Sequence, residues 1–345
     1  MRLLKLCVAL LALPFAQVSS VAQATAPRAG LINRAATAFS EKTGKLYLVD
    51  SEHDSVIALS PSGSSQTIKV GSRPVAVAIN QNTGRVYAVN AGSRSVSVID
   101  EASGSAIASV PTAARPYAIA VDPSANRVYV SNTFSNMLTV IDGETNHAEN
   151  IPTGSADAIL VDSDRHRVYL LGYESDMITE LNPRTGATVK LPAGAMHLWG
   201  MARSGQTLYV SHVQEHTIGA IDLESHQVRT LPVGAMPCAF ALDADTGDLY
   251  IANYADGTIT FLQKAMATST VKVSPWPQAL ALDSAGHRLY VASPQQGTVS
   301  VVDTQTRKVI RTFRDLDHPY AVAFSPVTHR AYAVNQGKIA FTPLK

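Results

Sequence analysis

One residue type sets the frame for this 345-residue chain. Tyrosine recurs at Tyr47, Tyr87, Tyr129, Tyr169, Tyr209, Tyr250, Tyr290 and Tyr332, at spacings of 40, 42, 40, 40, 41, 40 and 42 residues. Each lies in the same short phrase, running from KLYLVD through RVYAVN, RVYVSN, RVYLLG, TLYVSH, DLYIAN and RLYVAS to RAYAVN. A fixed period of this length marks a chain assembled from stacked supersecondary units, each unable to bury its apolar faces alone.

Four short runs fill each period. The first starts thirteen residues before the tyrosine, at Pro74, Pro116, Pro237, Pro277 and Pro319 in five copies and at Arg34, Ala156 and Met196 in the others. It continues as VAVAIN, YAIAVD, CAFALD, QALALD or YAVAFS. The tyrosine phrase is the second run. The third reads SVSVID, MLTVID, TIGAID or TVSVVD, and the fourth, weaker, reads as in QTIKVG. Alternating apolar residues, β-branched enrichment and flanking Gly, Pro, Asn, Asp and Ser specify strands. Four strands per repeat predict an all-β chain, a β-propeller of four-stranded blades. The small alanines of the first run suit a strand near the axis, where blades converge. Asp100, Asp142, Asp222 and Asp303 end third runs and read as structural turn residues.

Eight copies predict eight blades, with seven as the alternative. The last copy stops at Lys345, shortly after its third run, KIAFTP. The segment Thr25 to Asn33 is therefore expected to supply the missing outer strand and close the ring.

The phrase RVYVSN followed by MLTVID resembles the YVTN β-propeller repeat, the family of YncE-like periplasmic bacterial proteins and of propeller domains in archaeal surface-layer proteins. The resemblance covers residues 31 to 345. It implies a propeller, usually of seven blades, that serves as a surface or periplasmic binding scaffold more often than as an enzyme.

The N-terminus reads as an address. Arg2 and Lys5 precede an apolar run from Leu6 to Phe15, and Ala22-Gln23-Ala24 follows as a small-x-small site. This is the layout of a secretory signal peptide cleaved after about Ala24. Residues 1–24 are then a leader, and 25–345 form a single propeller domain, periplasmic or secreted. The apolar run is too short to cross a bilayer, so no transmembrane segment is expected. Lys plus Arg is 28 against 27 Asp plus Glu, and loss of Arg2 and Lys5 leaves 26 − 27 = −1. That balance excludes a global basic footprint for duplex nucleic acid. Two cysteines cannot build a disulfide scaffold, and Cys238 is the only thiol after cleavage. A monomer is expected.

The first two strands of a repeat form a hairpin, so the loop entering the first and the loop leaving the second open on one face, here called the mouth face. Loop-rich faces of rigid scaffolds are where ligands bind. One ring of residues flanks the start of the first strand: Arg73, Arg115, Tyr117, Asp157, His197, Trp276, Gln278, His318 and Tyr320. A second ring ends the second strand: Asp50, Asn90, Asn132, Gly172, His212, Asn253, Ser293 and Asn335. The recurrent Asn reads as structural. The first ring does not repeat, and its Arg, Tyr, His and Trp suit an anionic or glycan-like ligand, or a protein loop.

The sharpest departure is GAMHLWGMARSG in the fifth copy. His197, His212, His216 and Glu215 fall there, with Asp157 and Glu174 in the neighbouring copy. Imidazole and carboxylate converging on one face could hold a divalent metal such as zinc. No recognised ligand spacing is matched, and three separate surface histidines are the alternative. Cys238 reads as a small buried hydrophobe rather than a nucleophile. The chain contains no G-x-S-x-G, P-loop, H-E-x-x-H or C-x-x-C-H.

The leading functional reading is a non-enzymatic envelope scaffold, without a cofactor, that engages a protein, peptide or glycan through the mouth-face loops. The alternative is a metal-assisted hydrolase or lyase resembling lactonases or streptogramin lyases, with His197, His212 and Glu215 as its residues. Single-stranded nucleic acid, bound through Arg73, Arg115 and nearby aromatics, is a third reading, disfavoured by the net charge and the exported address.

Overall fold

The computed structural model describes residues 37–133, 135–263, 266–335 and 341–344. The expected leader, Arg34 and the segment Thr25 to Asn33, expected to supply the last outer strand, lie outside the described residues. The described residues are strands and their connecting turns, apart from one 3-10 turn at Pro294–Gln296. The strands group into eight antiparallel meanders, numbered here in chain order: residues 37–69, 74–111, 116–152, 158–192, 198–232, 237–272, 279–313 and 319–344. Seven have four described strands, in the order inner, second, third, outer. The eighth has three, Pro319–Ser325, Arg330–Asn335 and Phe341–Leu344.

Tyrosine explains why the sheets stack. The side chains of a strand alternate between its two faces, so every sheet has two apolar faces to cover. Each repeat tyrosine points from its own sheet into the seam with the next. Tyr87 packs with Val96 and Val98 of its own sheet and with Ile119, Val128 and Ile141 of the third. Tyr129 packs with Ile159, Val168 and Leu170 of the fourth. Tyr47, Tyr169, Tyr209, Tyr250 and Tyr290 do the same in five further seams. The eighth seam closes the ring, with Tyr332 and Ala323 of the last sheet against Phe39 and Leu46 of the first. Tyr320, Ala321 and Val334 also join the seam cluster of Tyr47. The fold is a β-propeller, and its described residues close through eight seams.

The tyrosine hydroxyls are treated unequally. The Tyr47 hydroxyl donates to Glu101 Oε1 of the second sheet at 3.1 Å. Glu101 is itself buried and also accepts from Thr43 Oγ1. The hydroxyls of Tyr87, Tyr129 and Tyr169 are buried without a hydrogen-bond partner. Burial accordingly pushes the pKa of each upward.

The fifth sheet departs in register. In the second, third and fourth sheets a four-residue turn joins the inner and second strands, as from Asn80 to Arg85. In the fifth, Ser204 pairs with Thr207 across only Gly205 and Gln206. The two missing residues shift the strand start. Pro74, Pro116, Pro237 and Pro319 pair with Asn90, Asn132, Asn253 and Asn335, whereas His212 pairs with Leu198. Leu198, not Met196, therefore occupies the proline position, correcting the thirteen-residue spacing for this copy. The same hairpin buries Arg203, which lies 3.0 Å from Asp162 and 3.2 Å from Asp164 of the fourth sheet. Gly205 O also accepts from Arg203 at 2.8 Å. Removing either partner of such a pair would leave a buried charge uncompensated.

The seam role of tyrosine generates a stability prediction. Tyr129→Ala empties a ring-sized space in the seam between the third and fourth sheets and is expected to cost about 3–5 kcal/mol. Tyr129→Phe removes only an unpartnered hydroxyl and is expected to stay within about 1 kcal/mol of the parent. Urea unfolding midpoints of the two variants measure the difference.

Candidate functional site

The inner strands reach the mouth face through β-bulges. Register shifts follow Pro74, Leu198, Pro237 and Pro319 on the inner strands, and another lies opposite Pro116. A bulge adds a residue and re-aims its side chain. Val75, Tyr117, Trp199 and Cys238 sit at four of these bulges and are half-buried between fully buried neighbours. The residue before each strand takes a left-handed backbone, with φ of 52° at Arg73, 58° at Arg115, 55° at His197, 56° at Met236, 58° at Trp276 and 45° at His318. Such geometry costs an L-residue roughly 1–2 kcal/mol, so the connector must be held by its surroundings. The Arg73 N–H donates to Asp54 Oδ1 at 2.7 Å, and the Arg115 carbonyl accepts from Thr133 Oγ1 at 3.3 Å.

Arg73, Arg115 and His318 are exposed, and Trp276 is 40% exposed. Tyr117, Asp157, His197 and Gln278 are half-buried. Tyr320 does not belong with them. It is 4% exposed and packed into the closing seam, where burial, then the Asp50 carboxylate, raises its hydroxyl pKa. Two arrangements stand out. Gln278 Nε2 donates to Gln295 Oε1 at 3.2 Å, and Gln295 Nε2 donates to the Tyr254 hydroxyl at 3.3 Å, forming a polar strip across the sixth and seventh sheets. Between the fourth and fifth sheets, Tyr173 meets His197 edge-on at 5.5 Å and Trp199 at 6.0 Å. Asp157 holds this arrangement, its Oδ2 accepting the Tyr173 N–H at 2.8 Å, while the Tyr173 carbonyl accepts from the Leu198 N–H at 3.2 Å.

The histidines do not converge. His197 Nδ1 lies 3.6 Å from Glu215 Oε1, so these two are brought together. His212 is 0% exposed, with Nε2 2.9 Å from the Ala193 carbonyl and Nδ1 2.9 Å from Thr217 Oγ1. Both its ring nitrogens are engaged by the protein, which removes it from a ligand set. His216 is exposed, and its Nδ1 accepts the Met236 N–H at 3.2 Å. Among the described residues no three His, Cys, Asp or Glu side chains group as metal ligands.

His212 stands where the second, third and sixth sheets place Asn90, Asn132 and Asn253. Those amides donate to Ser95 and Ser97, to Thr139, and to Thr258 and Thr260 on their third strands. The larger imidazole fits because Gly219 replaces the Ser or Thr found at 97, 139 and 260. A Cβ on Gly219 would lie 3.0 Å from His212 Nε2 and 2.3 Å from the Ala193 carbonyl. Cys238 is half-buried, its Sγ 3.3 Å from the Pro277 carbonyl, and desolvation pushes its pKa up to about 12. Asp100, Asp142, Asp222 and Asp303 accept from the backbone N–H of Ser103, Thr145, Ser225 and Thr306, which lowers their pKa values.

No family model matches the chain, and no curated protein matches it in sequence. Solved structures do match in fold. The dihydro-heme d1 dehydrogenase NirN, in complex with DHE, superposes with a TM-score of 0.72 at 13% identity over 95% of this chain and 76% of that one. Hydrazine synthase of Kuenenia stuttgartiensis gives 0.60 at 18% identity, covering 90% of this chain and 94% of its own. Virginiamycin B lyase from Staphylococcus aureus gives 0.61 at 13% identity, covering 79% and 94%. At these identities the likeness establishes the propeller fold alone.

His212 supplies a pH prediction. Burial holds its ring pKa below the usual 6.5, so the unfolded chain takes up a proton that the folded chain refuses. Its contribution to stability is complete above about pH 6.5 and is lost as pH falls below that value, by at most roughly 1.4 kcal/mol per unit. His212→Asn is expected to flatten this slope. Urea midpoints at pH 5.0 and 7.5, compared between parent and variant, measure it.

Proposed function

We propose that this chain is a YVTN-type, YncE-like propeller of the bacterial cell envelope, a single domain exported by a leader cleaved after about Ala24. In this reading it is a monomer that binds a protein, peptide or glycan through its mouth-face loops without catalysing a reaction. Arg73, Arg115, Tyr117, Asp157, His197, Trp276 and His318 form the contact ring, joined by Tyr173 and Trp199. One observation carries the proposal. The chain has two tryptophans, Trp276 exposed before its inner strand and Trp199 half-buried at a strand-start bulge, and neither joins the apolar clusters that bury the repeat tyrosines. Tryptophan combines a large apolar area with an N–H donor and is enriched where partners are gripped. Non-repeating side chains on a regular scaffold are where specificity resides. The lyase alternative loses its ligand set with the inward turn of His212.

The two tryptophans also report on the proposal. The purified protein is titrated with chitotetraose, a muropeptide and a panel of envelope-derived peptides, following indole emission and heat of binding. A true ligand is expected to shift emission saturably, with the affinity falling roughly tenfold or more in Trp276→Ala or Trp199→Ala. Calorimetric binding that leaves both indoles unchanged would place the ligand elsewhere on the molecule.

A further inference from the structure

The mouth-face loops divide by charge. In the second and third sheets these loops are residues 70–73, 91–94, 112–115 and 133–136. They carry Arg73, Arg94 and Arg115 and no acid. In the fourth to sixth sheets they are residues 153–157, 172–176, 193–197, 213–216, 233–236 and 254–257. They carry Asp157, Glu174, Asp176, Glu215 and Asp256 and no Lys or Arg. From the second to the sixth sheet the mouth thus passes from a basic arc to an acidic arc, and an anion is repelled from the second.

The aromatic cluster lies inside the acidic arc. The Tyr173 and Trp199 planes meet at 87°, with centroids 6.0 Å apart, and the His197 ring stands at 61° to Tyr173. Ring faces are electron-rich, so perpendicular rings offer a corner that attracts a cation. Two carboxylates flank the residues that carry these rings. Asp157 grips the backbone of Tyr173 at 2.8 Å, and Glu215 lies 3.6 Å from the His197 ring. The corner is held from two sides, by the connector carrying His197 and by the loop carrying Tyr173, which the Leu198 N–H ties to the strand start. A neutral sugar would gain from the rings and could donate hydroxyl hydrogen bonds to the acids, but it gains nothing from their net charge. A cation gains from both.

We propose that the corner of Tyr173, Trp199 and His197, with Asp157 and Glu215, binds an organic ammonium group. The group is either a free quaternary amine or a lysine side chain in a peptide. This assignment rests on the reading of the mouth face as the ligand site and names the chemistry of one part of it.

The test uses the purified Trp276→Phe protein, in which Trp199 is the sole indole. It is titrated with choline, with its neutral isostere 3,3-dimethyl-1-butanol, with acetyl-lysine-amide, and with a tripeptide carrying a central lysine. Choline or the lysyl compounds are expected to change Trp199 emission saturably, with the neutral isostere at least about tenfold weaker. Preference for choline identifies a free amine as the source, and preference for the tripeptide over acetyl-lysine-amide identifies a peptide. By calorimetry, Trp199→Ala is expected to weaken binding roughly 30-fold, the equivalent of a desolvated cation–π contact. Glu215 is exposed, so Glu215→Gln tests the carboxylate without disturbing the core, with an expected loss of about threefold or more that shrinks in 0.5 M NaCl. Equal response to choline and its neutral isostere, or no effect of Glu215→Gln at low salt, would overturn the assignment. So would quenching of Trp276 alone by a neutral glycan in the parent protein, although the mouth face would stand as a ligand site. A protein in which neither indole responds to any ligand that binds would overturn both.

Discussion

The molecule depends on the burial of one tyrosine in each seam between sheets. A four-stranded meander has two apolar faces and cannot stand alone, and stacking around a ring covers both. The tyrosine ring reaches across each seam into the aliphatic face of the next sheet, and each such burial contributes roughly 2–3 kcal/mol. Because the eighth seam joins Tyr332 to Phe39 and Leu46, every sheet has a neighbour on each side. With the sheets packed this way, small residues are required on the inner strands, and Ala76, Ala78, Ala118 and Ala120 meet that need with almost no exposure. The bulges at the strand starts then become the means by which the scaffold presents side chains at its mouth.

Much of this was legible in the sequence, because the constraint is periodic. The tyrosine spacing predicts eight repeats, with seven blades as the alternative, and the four runs of each repeat predict its strands and their order; eight sheets are present among the described residues. What escaped was local. The fifth-sheet turn is two residues shorter, so counting back from Tyr209 landed on Met196, while pairing with His212 selects Leu198. That shift places His197 with Arg73, Arg115, Trp276 and His318 in the left-handed position and brings Trp199 onto the bulge.

The site residues were harder to read, because their contacts join different repeats. Tyr173 and Trp199 lie in loop and strand of neighbouring sheets, and no spacing within one repeat announces their contact. His212 looked like a mouth residue because the loop begins beside it. Its inward turn had a sequence signal in Gly219, which breaks the run of Ser and Thr at that position of the third strand. Tyr320 was misplaced for a similar reason. Its position beside Pro319 matches that of Tyr117, but the closing seam draws it inward. The seams thus decide which residues of the mouth ring remain available, and the variable loops of the fourth and fifth sheets carry what is distinctive about this chain.

Closure through the eighth seam is the central claim, and hydrogen–deuterium exchange resolved by peptide tests it most directly. Exchange in core strands reports global opening, whereas an uncovered sheet exchanges through cheap local opening. A closed ring requires strands Pro319–Ser325 and Arg330–Asn335 to exchange as slowly as Pro116–Asp122 and Arg127–Asn132, their counterparts in the third sheet. Exchange of the eighth-sheet strands orders of magnitude faster than those of the third would contradict it, showing a stack whose first and last sheets do not meet.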